Sequence, residues 1–165
     1  MRLKQLWVVF LLVGVSLNLH GQGTATNLSG TWQLDLEKST PAKVPFKPVL
    51  LTITCVGNEI QMVYMFKGIE EKEKYTADGK EKIVIFNHDV KKVVKAYWRD
   101  RVLVIETHQS ARNSNIGPAF ETYTEFWSLS PDGQTLKHEK DMDVSRGIPD
   151  KSKRVAIFNK SVTPD

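Results

Sequence analysis

The chain has 165 residues, 41% hydrophobic and 25% charged, which is close to average globular usage and fits one domain. Its 23 basic residues include Arg2 and Lys4 of an N-terminal segment; without those two, 21 face 19 acidic residues, a net charge of +2. That balance, with acidic and basic residues interleaved, excludes a nucleic-acid-binding stripe, and the single cysteine, Cys55, excludes an intramolecular disulfide.

The N-terminal segment reads as a targeting element. Met1-Arg2-Leu3-Lys4 is basic, residues 6–15 are apolar, and residues 16–25 turn small and polar. This is the pattern of a secretory signal peptide over residues 1–23, cleaved between Gly21 and Ala25. The apolar run is shorter than the roughly 20 residues of a membrane-spanning helix. The expectation is an exported chain, periplasmic or extracellular, with one domain over residues 24–165 and no membrane span. No cysteine follows the segment to carry a lipid anchor of the bacterial lipoprotein kind.

The first strand opens with Asn27-Leu28-Ser29-Gly30-Thr31-Trp32-Gln33-Leu34-Asp35-Leu36. Leu28, Gly30, Trp32, Leu34 and Leu36 share one face of an extended chain, and polar residues share the other. The pattern is expected to break at 37–41, and Pro41, Pro45 and Pro48 mark an irregular crossing. Residues 50–56 form a strand, with Cys55 in phase with Leu51 and Ile53 as a small apolar residue. Gly57-Asn58 is a two-residue hairpin turn into 59–66, where Ile60, Met62, Tyr64 and Phe66 share a face. Lys67-Gly68 turns into 69–75, whose Glu70-Glu71-Lys72-Glu73-Lys74 run reads as a solvated surface.

Asp78-Gly79 precedes a strand at 83–86, and Asn87-His88-Asp89 turns into one at 91–98. Arg99-Asp100 closes a hairpin into 102–107, and residues 109–118 read as an open loop. Residues 120–129 are a strand, followed by the turn Ser130-Pro131-Asp132-Gly133. Strands at 135–142 and 154–160 finish the chain, with a loop through Arg146-Gly147-Ile148-Pro149 between them. No segment has a sustained, capped helical period. Roughly ten short strands joined by hairpins predict an all-β, up-and-down antiparallel meander barrel of about eight to ten strands. A two-sheet β-sandwich is the alternative.

Gly30-Thr31-Trp32 resembles the Gly-x-Trp motif on the first strand of the lipocalin and wider calycin barrels. Together with Lys38-Ser39, Asp78-Gly79-Lys80 and the Ser130–Gly133 turn, it is similar to small exported lipocalin-like proteins of bacteria, a largely uncharacterised group. The Thr-Asp-Tyr segment of the classical lipocalins is not present. The resemblance implies a barrel closed at one end by Gly30 and Trp32, with a late arginine packed on the indole. Arg154 is the candidate for that arginine, ahead of Lys153 and Arg146.

No catalytic motif stands out. Glu106 and His108 lie two apart on one strand face, and His138 would have to join them across the sheet to make a metal or catalytic set. Asp141 and Asp143 share a face without the acidic loop of a calcium site. Glu121, Tyr123, Glu125 and Trp127 are in phase, as a pocket wall or as an amphipathic outer face. The candidate ligand-binding residues are the large apolar groups Met62, Tyr64, Phe66, Tyr97, Trp98 and Val104, which line either a cavity or a filled core.

The function expected is an exported, non-enzymatic protein binding a small hydrophobic molecule in a barrel cavity, with no cofactor, no metal and no nucleic acid. The alternative is an envelope-associated protein-interaction module with a packed core. Chain recovered from an exporting host is expected to begin between Gln22 and Thr26, and N-terminal sequencing that returns Met1 would remove the cleavage assignment.

Overall fold

The computed structural model describes residues 26–40, 50–87, 90–111, 119–145 and 148–161. Residues 1–25, which include the stretch expected from the sequence to be an export signal, and the crossing that holds Pro41, Pro45 and Pro48 lie outside them. Eleven strands fill the described chain: β1 Gly30–Thr40, β2 Leu50–Val56, β3 Glu59–Phe66, β4 Ile69–Thr76, β5 Glu81–Asn87, β6 Val90–Arg99, β7 Val102–Ala111, β8 Ala119–Leu129, β9 Thr135–Ser145, β10 Ile148–Pro149 and β11 Lys153–Lys160. They form one antiparallel sheet in the order β4-β3-β2-β1-β11-β9-β8-β7-β6-β5, with β10 a short flap on β9. A single continuous path replaces the sandwich alternative. The fold is the expected up-and-down meander barrel.

Alternation explains why these strands curl. Trp32 and Leu34, Leu51 and Ile53, Ile60 and Met62, Leu103 and Ile105, and Leu136 and Phe158 all turn to one side of the sheet and are buried there. One sheet can bury a single face only by wrapping around it. The first and last long strands meet in the process, with Trp32 opposite Lys160 and Leu34 opposite Phe158.

The path ends at β4 and β5, which do not pair with each other. Two other contacts hold this seam. The Gly79 amide donates to the Ala96 carbonyl at 2.9 Å, and the Lys92 ammonium donates to Glu73 Oε1 at 3.1 Å. The β3–β4 hairpin turns on Lys67 and Gly68, both at positive φ (48° and 80°), the combination that matches strand twist.

β1 is longer than its pattern suggested. Its pairing with β11 shifts register between Asp35 and Thr40, so Leu36 swings out to 57% exposure instead of joining Leu34. Ser39 holds this bulge, its hydroxyl donating to the Asp35 carbonyl at 2.6 Å and accepting from the Ile157 amide at 3.0 Å. The Asp35 carboxylate accepts from the Lys38 side chain, from Asn159 and from the Lys38 amide, and these bonds hold its pKa down to about 2. Other boundaries also differ from expectation. β7 runs on to Ala111, the β6–β7 turn is Asp100-Arg101 with Asp100 at φ 55°, and Ile148-Pro149 pairs with β9.

The end of the barrel that carries the β2–β3 and β8–β9 turns is packed solid. Trp32 is 1% exposed there, and its indole Nε1 donates to the Leu28 carbonyl at 3.1 Å. Gly30, at φ 152°, lets the ring lie close; a Cβ at this position would sit 3.4 Å from Trp32 Cε2. The cation over the indole is Lys160, at 5.9 Å, not Arg154. The reason is register: Lys160 is the direct partner of Trp32, whereas Arg154 lies six residues back along β11 beside Lys140. Trp32→Ala is expected to cost about 3–5 kcal/mol as a large-to-small core change. Chemical denaturation with an unchanged unfolding free energy would place Trp32 outside the core.

Candidate functional site

Above the packed end the barrel is not filled. A cavity of about 580 Å³ lies between the β3–β4 hairpin on one side and β8, β9 and β11 on the other. Strand alternation aims its walls. Tyr64 and Phe66 come from β3, Ile69, Glu71 and Glu73 from β4, Tyr123, Glu125 and Trp127 from β8, His138 and Lys140 from β9, and Arg154, Ala156 and Phe158 from β11. Its apolar part centres on Trp127, which stacks flat on His138 (centroids 3.9 Å apart, planes 8° apart) and leans on Phe158 at 6.3 Å.

The rest of the lining is largely charged, and Glu73, Glu125 and His138 have partners. His138 Nε2 lies 3.0 Å from Glu125 Oε1. Burial pushes the Glu125 carboxyl up, but the His138 hydrogen bond and the nearby His138, Lys140 and Lys92 outweigh it and leave its pKa below the ordinary range. Glu73 accepts from the Tyr75 hydroxyl at 2.6 Å and from Lys92 at 3.1 Å. Burial first, and the nearby Glu73 second, push the phenols of Tyr64 and Tyr75 well up, so both remain neutral hydrogen-bond donors. The Lys140 ammonium rests 3.3 Å from the centroid of the Tyr123 ring. Burial lowers its pKa, while Glu125 and Glu121 pull it back up. Among the described residues neither Lys140 nor Arg154 forms an ion pair with a carboxylate.

The residues singled out from sequence divide between the two faces. Tyr64 and Phe66 line the cavity, and Met62 is buried beside Tyr64, whose hydroxyl donates to its Sδ at 3.2 Å. Trp98 faces inward but packs against the closed core, away from the cavity lining. Tyr97 and Val104 need correction. They are direct cross-strand partners in the opposite phase to Trp98 and Leu103 and do not line the cavity: the Tyr97 hydroxyl bonds Glu106 at 2.8 Å, and Val104, only 1% exposed, is buried opposite Phe126. One step in phase separates Tyr97 from Trp98, and that step decides the face.

Glu106 and His108 also face outward, to Lys95 and Thr122 respectively, while His138 faces inward, so the three do not converge. No group of three metal-ligating side chains occurs among the described residues. Arg154, named for the Trp32 end, lines the cavity. The residues that sequence reasoning passed over are Glu73, Lys92 and Lys140. The charged run of β4 read as solvated throughout, yet Glu73 is in phase with the buried Tyr75, and that periodicity was the available signal.

A meander barrel with an internal cavity and a closed end bearing a Gly-x-Trp strand is a lipocalin-like, calycin-type fold. Solved structures agree at the level of fold. The chain is similar to the REP1-NXSQ fatty acid transporter (TM-score 0.53, 9% identity, 83% of this chain and 98% of that one). It is similar to a secretary abundant heat soluble protein from Ramazzottius varieornatus (TM-score 0.55, 12% identity, covering 84% and 98%). The third likeness is to apo lipid binding protein 8 of Caenorhabditis elegans (TM-score 0.52, 12% identity, covering 81% and 94%). No protein-family model and no curated protein sequence matches the chain.

The depressed pKa of Glu125 has a pH consequence. A carboxylate with a lowered folded-state pKa adds stability that is fully present above the unfolded value, about 4.3, and is lost as pH falls through the folded value. Glu125→Gln is therefore expected to cost on the order of 1–3 kcal/mol near neutrality, with the gap to wild type closing in acid. Urea unfolding of both proteins between neutral and acid pH checks this; a gap that widens in acid would contradict it.

Proposed function

We propose that this chain is an exported binding protein for a small apolar or amphipathic molecule held inside the barrel. The single observation that carries this reading is the cavity of about 580 Å³ between the β3–β4 hairpin and β8, β9 and β11. It falls in the size range of small-molecule sites, about 300–1,000 Å³, and combines an apolar wall with a few placed polar groups. Tyr64, Phe66, Trp127, Ala156 and Phe158 supply the contact surface for the ligand's apolar part. Met62 backs Tyr64 from beneath.

The likeness to solved structures supports the same reading, since two of the three neighbours carry the names of a fatty acid transporter and a lipid binding protein. A binding role rather than catalysis rests on that likeness too. The export component rests on the basic, apolar and small-polar order of residues 1–25. An interaction module with a packed core requires a filled interior, and the open volume weighs against it.

Displacement of a neutral environment-sensitive dye by long-chain fatty acids and long-chain alcohols tests the proposal. Saturable, one-to-one displacement by at least one of them is expected. Lack of saturable binding by any hydrophobic ligand across such a series would overturn it.

A further inference from the structure

The two ends of the sheet path are guarded unequally. β4 carries the charged run Glu70–Lys74 along its free edge, a common device against stray strand pairing. β5 is apolar at its centre, and its Ile83 and Val84 are 62% and 39% exposed. Both contacts that hold the seam bypass β5, since Ala96, which accepts from Gly79, and Lys92, which donates to Glu73, belong to β6. β5 is therefore bonded along one edge only, to β6. Antiparallel pairing uses the amides and carbonyls of alternate residues, so the others along β5 point into the seam with no described strand to receive them.

A slot of about 140 Å³ runs beside this edge. It is well below the size of a small-molecule site and suits a single aliphatic side chain. Its floor is apolar, made by Tyr75, Val84, Val94 and Ala96. Its rim is basic, made by Lys72, Lys74, Lys80 and Lys82. The carboxylate in its lining, Glu73, is held by Lys92 and Tyr75. Lys72 pairs with Glu70, Lys74 with Glu59, and Lys82 loosely with Asp78 at 3.9 Å; these are exposed pairs, weak and easily exchanged. Among the described residues Lys80 pairs with no carboxylate.

We propose that the β5 edge and its slot receive an extended acidic segment of another protein, added to the sheet as an antiparallel strand. Main-chain bonds to β5 supply the affinity, and side chains at alternate positions supply the selectivity. The residue opposite Val84 drops an aliphatic side chain into the slot, and the residues opposite Lys82 and Lys80, two and four further on, are acidic. The residue opposite Ile83 is apolar and covers it on the outer face. A second copy of this chain does not fit. Pairing β5 with itself in phase sets Lys82 against even-numbered strand residues of the copy, none of them acidic. The site is separate from the internal cavity and stands whether or not that cavity binds a ligand.

The probes are two fluorescein-labelled hexapeptides, Thr-Leu-Val-Glu-Thr-Glu and Thr-Leu-Val-Lys-Thr-Lys, titrated against wild type and the Lys80→Glu, Lys82→Glu double variant. Wild type is expected to bind the acidic peptide saturably and on the order of tenfold more tightly than the basic one, with the margin shrinking as salt rises. The double variant is expected to invert that preference, which a merely misfolded protein would not do. N-methylation of alternate peptide amides separates strand addition from simple charge attraction. Methyl groups in one phase are expected to abolish binding and in the other to be tolerated, because only one set of amides faces β5.

Hydrogen exchange places the peptide. Slowed exchange confined to residues 81–84 is expected when the acidic peptide is added. No saturable binding of that peptide, a preference unmoved by the charge reversal, or equal tolerance of methylation in both phases would overturn the proposal. Protection along the cavity walls of β8 and β9 instead of β5, or a wild-type dimer that protects the same β5 amides without peptide, would overturn it as well. Each of these results leaves the dye-displacement test of the cavity untouched.

Discussion

The barrel depends on the pairing of its first and last long strands. β1 meets β11 with Trp32 against Lys160 and Leu34 against Phe158, and this contact joins β1–β4 to β5–β11 in one continuous wall with one dry side. Without it, both β1 and β11 would present an open edge and half of the buried face would meet water. The Ser39-supported bulge belongs to the same contact. It lets β1 continue to Thr40 after Leu36 has left the inner face.

Closure is uneven along the barrel axis, and that unevenness makes the site. At the Trp32 end large apolar side chains meet across the interior in one buried cluster. Toward the other end the inward positions are taken by Glu73, Lys92, Tyr123, Glu125, His138 and Lys140, whose desolvation must be offset within the barrel. Their mutual pairs also tie elements together. Lys92–Glu73 spans the unpaired seam between the two ends of the sheet path, and Glu125–His138 links β8 to β9 beneath the Trp127 stack. Polar pairing therefore holds the open part of the barrel in shape while leaving volume for a guest.

Hairpin turns were the most legible feature. Gly57-Asn58 and Lys67-Gly68 bracket β3 at its observed limits, because turn chemistry is local. The opening strand was legible in its first half for a similar reason, since alternation needs only neighbours. It failed at Leu36, where a bulge set by pairing with Ile157 overrides the period. The site was legible in part. Tyr64 and Phe66 carry their phase from Ile60 and Met62, whereas Tyr97 and Trp98, adjacent and both aromatic, gave no local reason to choose between faces.

By itself the sequence determined an all-β meander, most of its turn positions, the burial of Trp32 and the class of residue available for a pocket. Those follow from period-two patterning and short-range turn preferences, which act within a few residues. Only the tertiary structure decided that Glu73, Glu125, Lys140 and Arg154 face the same interior, that Lys160 rather than Arg154 covers Trp32, and that the barrel stays open above its closed end. Those depend on register between strands far apart in the chain, and a shift of one residue would move each of these side chains to the opposite face.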